Sequence, residues 1–387
     1  MKVKSIRKVK KIAGKRVILR ADFNVPMEDG EIKDDFKIVT GLETIRYLLR
    51  YKCKLIIISH LGRPGGKIKK GLSLKPIAKK LERYLGKKII FINEINGFKA
   101  GNAVSKMKAG DIVMLENVRF KKDEITNSKK FAQQLANLGE IYVNDAFAAD
   151  HRKHASLAAI QNLMPAYAGF VLTKEITNLD RILKPKKPLV VILGGAKIAT
   201  KLKLIKKFKQ AAKILIGGAL ANNFLKAHNF EIGKSLYDKK SLSTAKRLKQ
   251  ANLILPIDVI VSQTNSKINI AVKKINAIDK KDIILDIGPE TMRLYAKFIK
   301  QANTLIWNGP MGMFEWDKFK QGTMVIARLV ASRSSGKAFG VVGGGETIAA
   351  LKMANMSEYV DWISTGGGAM LTYLGGEKLP GFVKIVK

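Results

Sequence analysis

The chain has 387 residues, 47% hydrophobic and 26% charged, enough apolar material for two separately cored domains and too much for a disordered polypeptide. Its 71 Lys and Arg against 31 Asp and Glu give a formal charge of +40, which exceeds the needs of any one active site and predicts attraction for polyanions of every kind. No apolar run approaches the roughly 20 residues that span a bilayer, and the opening Met1-Lys-Val-Lys-Ser-Ile-Arg-Lys8 lacks the apolar core of a secretory leader, so a cytoplasmic protein is expected.

Apolar runs of strand length at 16–23, 54–59, 88–92, 111–115 and 140–143 alternate with segments such as 38–51 and 74–85, where apolar residues recur at helical spacing. Cys53, the one cysteine, has no internal disulfide partner and opens an apolar run, so it reads as a reduced core residue. Strand alternating with helix predicts a parallel sheet with helices on both faces and ligands beyond the carboxyl ends of its strands. Polar residues gather at those ends: Arg20-Ala-Asp-Phe-Asn-Val-Pro26, Ser59-His-Leu-Gly-Arg-Pro64, Glu116-Asn-Val-Arg-Phe120 and the stretch 144–156, which holds Asp150-His-Arg-Lys-His154. Any one of them alone reads as a loop or a helix cap. Their recurrence at one topological place predicts a shared cleft lined by Arg63, Arg119 and Arg152, whose planar forks suit a carboxylate or a phosphate.

Around Pro165 the strand pattern breaks, and 172–183 reads as a helix ending before Lys184-Pro185, which places a domain boundary there. A second strand series follows at 189–193, 212–216, 253–261, 283–287, 304–307, 338–342 and 360–363. The first of these is unbroken apolar sequence and runs into Gly194-Gly195, then into a helix whose opening turns carry Lys197 and Lys201 four apart on one face. Free backbone N–H groups and the positive end of the helix dipole make such a junction an anion site. Either lysine alone reads as one more solvated lysine; the pair beside Gly-Gly points to phosphate. More glycine turns close the later strands: Gly217-Gly218, Asp286-Ile-Gly-Pro289, Asn308-Gly-Pro-Met-Gly312, Gly343-Gly-Gly-Glu346 and Thr365-Gly-Gly-Gly368. So many at the ends of one sheet predict a nucleotide site, although neither a Walker A motif nor a well-placed dinucleotide fingerprint is present. One half offering arginines and the other glycines and lysines suggests phosphoryl transfer across a cleft, driven by positioning and charge neutralisation.

Taken together, these stretches closely resemble the phosphoglycerate kinase family over essentially the full length. The resemblance implies two Rossmann-like α/β domains, each a parallel sheet flanked by helices. It sets a phosphoglycerate-binding domain at 1–168, a hinge helix at 169–185, a nucleotide-binding domain at 186–365 and a C-terminal segment at 366–387 returning to the first domain. It implies reversible, direct in-line phosphoryl transfer after hinge closure, between 1,3-bisphosphoglycerate and ADP, giving 3-phosphoglycerate and ATP, with Mg2+ and without a phosphoenzyme. Carried over by position, Asp22, Phe23, Asn24, Lys37, His60, Leu61, Gly62, Arg63, Arg119 and Arg152 would hold phosphoglycerate. Lys197, Lys201, Gly217, Gly218, Asn308, Glu315, Gly344, Gly345, Glu346 and Thr347 would hold the nucleotide, with Glu346 and the nucleotide phosphates on the metal. Lys37, Lys197 and Gly345 would serve the transfer itself, and His151 and His154 would fix a loop rather than act as bases. Two positions depart from the family pattern. Lys37, in Asp34-Asp-Phe-Lys37, stands where an arginine is usual, which keeps the charge and loses the fork. Glu346 stands where many relatives have aspartate. Competing readings are a polyanion-binding protein, which carries no helix-turn-helix or zinc-finger signature here, and a kinase for another small acid phosphate. Family members are mostly monomers, so a monomer is expected.

Overall fold

The computed structural model describes residues 2–248, 250–263 and 269–386, so Met1 and Lys387, the ends of the first and last expected segments, lie outside the described residues. The chain divides into two units, one running to Thr177 and taking back the residues from Lys378, the other Asn178–Glu377.

The first unit is built on β1 (Arg16–Ala21), a short hairpin of β2 (Met27–Glu28) and β3 (Glu31–Ile32), then β4 (Lys54–Ile58), β5 (Ile90–Ile92), β6 (Ile112–Leu115), β7 (Ile141–Asp145) and β8 (Ala166–Ala168). All but the hairpin join in one parallel sheet in the order β5-β6-β4-β1-β7-β8. Its helices are α1 (Phe36–Arg50), α2 (Lys75–Leu85), α3 (Phe98–Ser105), α4 (Lys122–Ile125) and α5 (Lys129–Ala136). α2 shows why the boundaries fall where they do: Pro76 occupies its first turn, where a missing N–H costs nothing, and Gly86 ends it in the left-handed conformation at φ +61°. From β1 the chain first builds outwards through β4, then returns to lay β7 on the other side of β1, so the strand order reverses between β1 and β7. Loops following β1 and β7 therefore diverge and leave a crevice at their carboxyl ends.

α6 (Phe170–Leu183) carries the chain across the division, which falls within the helix. The second unit contains β9 (Leu189–Leu193), β10 (Lys213–Ile216), β11 (Leu253–Ile254), β12 (Asp258–Ser262), β13 (Ala271–Lys274), β14 (Ile283–Ile287), β15 (Thr304–Asn308), β16 (Phe339–Gly343) and β17 (Trp362–Ser364). With them come α7 (Ile198–Lys207), α8 (Gly218–Ala227), α9 (Leu242–Arg247), α10 (Pro289–Gln301), α11 (Gln321–Ser334), α12 (Gly345–Met353) and α13 (Gly367–Leu374). Six strands form a parallel sheet in the order β11-β10-β9-β15-β16-β17, with the reversal between β9 and β15. Every residue of β9 and β15 is buried, each large aliphatic side chain among them contributing about 1.5–3 kcal/mol relative to exposure.

Four expectations change. The run 253–261 is two strands: Pro256, with no N–H to give a ladder, separates β11 from β12. β12 then pairs antiparallel with both β13 and β14 in a separate three-stranded sheet, so the turn 286–289 does not end a strand of the parallel sheet. Directly after Pro165, where the pattern broke, β8 adds an edge strand to β7. The C-terminal portion also differs from the segment 366–387: α13 and the residues to Glu377 group with the second unit, and the chain rejoins the first only from Lys378. There the Gly381 carbonyl accepts from Asn144 Nδ2 at 3.1 Å and Gln161 Nε2 at 2.6 Å.

Candidate active site

In the first unit, four loops at the carboxyl ends of β1, β4, β6 and β7 are stitched by their own polar atoms. The Asn24 side-chain oxygen accepts from the Gly62 N–H at 2.8 Å, Arg119 Nη1 donates to the Gly62 carbonyl at 2.8 Å, and Asn117 Nδ2 donates to the Leu61 carbonyl at 2.8 Å. Asp22 Oδ1 accepts from the Asn24 N–H at 3.0 Å, while Oδ2 takes the Lys37 ammonium at 2.9 Å from the first turn of α1. Phe23 and Leu61 bury their side chains in the core, and the Phe23 N–H donates to Ser59 Oγ at 3.0 Å.

The cluster is rich in cations withdrawn from water. Arg20 is fully buried and Arg119 nearly so, and Arg119 Nε has no hydrogen-bond partner among the described residues. Burial first, then the neighbouring Arg20 and Arg152, pulls the Arg119 guanidinium down to about 10, and burial and Arg63 lower Arg152. His60, buried among Arg20, Arg119 and Lys37, is held well below its ordinary value; burial and the arginines also bring His151 to about 4 and His154 to about 3. All three rings are therefore neutral at pH 7. Asp22 and the fully buried Glu124 answer only part of this charge, and a surplus of desolvated cation with an unspent guanidinium N–H is a site for an anion.

In the second unit, a cavity of about 290 Å³ is lined by Lys197, Thr200, Lys201, Asn308, Gly309, Gly344, Gly345, Glu346, Thr347, Gly367, Gly368 and Leu371. The N-termini of α7, α12 and α13 all open on it, so three sets of uncapped N–H groups and three dipole ends favour negative charge there. Glycine is required at two close approaches. Gly344 precedes α12 at φ +105°, where a Cβ would lie 2.8 Å from Asn308 Nδ2; Gly309 has φ +98°, and a Cβ there would lie 2.2 Å from the Gly194 carbonyl oxygen. Thr347 Oγ1 accepts from the Gly309 N–H at 2.7 Å, and Asn308 Nδ2 donates to the Gly343 carbonyl, tying the loops after β15 and β16 together. Lys201 is 3% exposed; burial pushes its ammonium down to about 8, with Glu346 opposing and Lys197 adding to the fall. Lys197 itself is exposed at the start of α7.

A second cavity of about 220 Å³ shares Glu346 with the first and runs between Gly195, Gly218, Asn222, Leu236, Leu285, Met311, Met313 and Glu315. It is mostly apolar, as a flat heterocycle requires. Gly218 and Glu315 line it; Gly217 sits beneath, where a side chain would strike Met311 Sδ at 2.5 Å. Among the described residues no group of three or more His, Cys, Asp and Glu could hold a metal ion. Glu346 is thus a single carboxylate at the junction of two cavities, which fits a divalent cation only if phosphate oxygens complete its shell.

Sequence reasoning gives no role to Arg20 and Ser156, although both lie in its motifs, nor to Glu124; all three lie behind the first cluster, and Asn222 and Leu236, also unassigned, line the second cavity. Asn222 was within reach: it is four residues after Gly218 on a helix that opens at the glycine pair.

The family model described as phosphoglycerate kinase matches residues 6–377. The chain is 42% identical over 393 residues to the phosphoglycerate kinase of Pelotomaculum thermopropionicum, covering 98% of each chain. It is 43% identical over 388 residues to that of Thermosipho africanus, covering 97% of this chain and 96% of the relative. Among solved structures, the phosphoglycerate kinase of Coxiella burnetii superposes with a TM-score of 0.85 at 39% identity, covering 98% of both chains. The Pyrococcus horikoshii enzyme does so at 0.85 and 30% identity, covering 98% of this chain and 97% of that one.

Proposed function

The chain belongs to the phosphoglycerate kinase family and transfers a phosphoryl group reversibly between 1,3-bisphosphoglycerate and ADP in glycolysis, and on that premise we propose how its residues divide the work. Phosphoglycerate is held in the first unit by Asp22, Asn24, His60, Arg63, Arg119 and Arg152, with backbone from Phe23, Leu61 and Gly62 shaping the loops. The nucleotide is held in the second. Lys201, Asn308, Gly344 and Thr347 surround its phosphates, Gly217 and Gly218 lie by the base, and Glu315 lies by the ribose. The observation that carries this division is the cavity of about 290 Å³ beneath three helix N-termini, opening beside an apolar one of about 220 Å³. Phosphate binds the first, and a base and sugar fit the second.

Mg2+ bound between Glu346 and the phosphates would neutralise charge on them. The acceptor is a carboxylate, so no proton need be removed and the reaction calls for no general base. Its oxygen bonds to the terminal phosphorus as the bond to the ADP oxygen breaks. Lys197 follows the transferred group, Lys37 meets the developing charge from the phosphoglycerate side, and the Gly345 N–H adds a donor. α6 is the hinge of this reading. We take the enzyme to act as a cytoplasmic monomer, supported by the reduced, buried Cys53 and tested by elution at the mass of one chain.

A coupled assay of ADP formation from ATP, Mg2+ and 3-phosphoglycerate tests the assignment: the parent turns over and Lys201→Ala loses most of that turnover. A parent that binds nucleotide yet forms no ADP would overturn it. The charge of +40 favours a second property alongside, non-specific polyanion binding at low salt. Its affinity should fall steeply between 50 and 200 mM salt, roughly as the power of the phosphates contacted, while Mg-nucleotide binding persists.

A further inference from the structure

Arg20 is an arginine inside a buried strand of the central sheet, and every hydrogen bond it makes is internal. Its Nε donates to Ser156 Oγ at 2.8 Å, Nη1 to the Ala21 carbonyl at 2.6 Å, and Nη2 lies 3.1 Å from His60 Nδ1. Ser156 Oγ in turn donates to Glu124 Oε1 at 2.7 Å, and the Ser156 N–H donates to Glu124 Oε2 at 2.8 Å. Glu124 is fully buried, so a carboxylate, a hydroxyl, a guanidinium and an imidazole form one continuous chain out of water.

The direction of that chain is fixed by what each group can do. A guanidinium has donors and no acceptor, so the His60 nitrogen facing it must present a lone pair. The single proton of the neutral ring then sits on Nε2. That atom is 4.0 Å from Asp22 Oδ1, beyond hydrogen-bond length, and Asp22 is already engaged by the Asn24 N–H and Lys37. The Nε2–H is left as a donor among Asp22, Asn24 and Lys37. With the other tautomer the ring would place a lone pair there, which repels a carboxylate or phosphate oxygen.

We propose that Arg20 is a positioning residue, which, held by Ser156 and Glu124, locks His60 as the Nε2-protonated neutral tautomer so that the ring donates to the anionic substrate. Arg20 itself never touches that substrate. The same chain accounts for Glu124: it supplies the buried negative charge that lets a guanidinium sit inside the sheet. The inference rests on the reading of the first unit as the phosphoglycerate site, but its first test does not.

Nitrogen-15 NMR of histidine-labelled free enzyme, with the His60 signals assigned through His60→Gln, reads the tautomer directly. The expected result is a protonated Nε2 and an unprotonated Nδ1, unchanged from about pH 6 to 8; an Nδ1-protonated or doubly protonated ring would overturn the proposal. In Ser156→Ala, which unpins Arg20, the His60 signals should show mixed tautomers. The KM for 3-phosphoglycerate should rise about tenfold, with kcat changed less than threefold and the nucleotide KM unchanged. Arg20→Met should give the same pattern more strongly, and Arg20→Lys, which retains a donor, should recover part of it. If Arg20→Met does not fold, the parent spectrum and Ser156→Ala still decide. A folded Arg20→Met or Ser156→Ala with the parent tautomer and the parent KM would overturn the proposal. Failure of the site assignment shows differently, as absence of 3-phosphoglycerate turnover in the parent whatever the tautomer.

Discussion

Lys37→Ala tests the division of labour at the position where this chain departs from the family's usual arginine. The Lys37 ammonium lies 2.9 Å from Asp22 Oδ2, with the lysine side chain 22% and the aspartate side chain 7% exposed. At an effective dielectric of about 20 the bare attraction is on the order of 5 kcal/mol, but desolvation and side-chain entropy cancel most of it. The net loss of stability should be about 1 kcal/mol. The transition state is different, because there the ammonium faces charge that develops only during transfer. Losing one preorganised donor of that kind costs about 3 kcal/mol, so kcat should fall roughly 10²-fold or more. Lys37 is on α1 in the first unit and both nucleotide cavities lie in the second, so the ATP dissociation constant should stay within about twofold. Steady-state kinetics with the coupled assay and calorimetric titration with Mg-ATP separate the two quantities. Lys37→Arg, which restores the planar fork, should keep or raise turnover. Parent-like turnover in Lys37→Ala, or a loss explained by weaker nucleotide binding, would refute the reasoning.

Three further outcomes follow from the geometry. Burial holds Lys201 at about 8, so nucleotide phosphates should draw a proton onto it: calorimetry in buffers of different ionisation enthalpy should show proton uptake at pH 8 to 9, and affinity should fall above pH 8. The sign for stability is opposite. Between about 8 and the ordinary 10.5 the unfolded chain binds the extra proton, so the free enzyme should gain up to about 3 kcal/mol relative to Lys201→Met as pH rises through that window, read from urea midpoints; a flat difference would count against the buried charge. Gly344→Ala forces a Cβ to within 2.8 Å of Asn308 Nδ2 at φ +105°, at a strain of about 1–3 kcal/mol; the ATP dissociation constant should rise at least tenfold, and an unchanged value would remove Gly344 from the phosphate site. Gly381→Ala places a Cβ 2.0 Å from Asp150 Oδ1, so overpacking of about 1–3 kcal/mol should lower the melting temperature; an unchanged melting curve would mean that the C-terminal segment docks otherwise.

How far the sequence is legible depends on the reach of each feature. The strands at 54–59 and 189–193 and the helix at 74–85 appear within a residue or two of expectation, because apolar periodicity, Pro76 and Gly86 act over one or two turns of chain. The strand-end loops of the candidate site are legible for a related reason: a strand end, a glycine pair and two lysines are neighbours in sequence as well as in space. The run 253–261 departs from the expected single strand because β-propensity does not say which sheet a strand joins. Only the pairing of β12 with β13 and β14 decides that, and Pro256 was the one local hint.

The sequence by itself determined two α/β halves, the family, and the strand-end loops proposed to bind anions, since each follows from local pattern and from residue types set at fixed spacing. The tertiary structure alone decided what stands behind those loops. Ser156 lies 136 residues from Arg20 and Asp22 lies 15 from Lys37, yet each pair is within hydrogen-bonding distance. Only assembly of the sheet and its loops sets the buried arginine against a hydroxyl, a carboxylate and an imidazole. The same holds for Lys201, whose ammonium is lowered by burial against the opposing charge of Glu346, contributed by a helix far along the chain. Spacing can name a lysine or a histidine; its protonation depends on the dielectric and the partners that packing supplies.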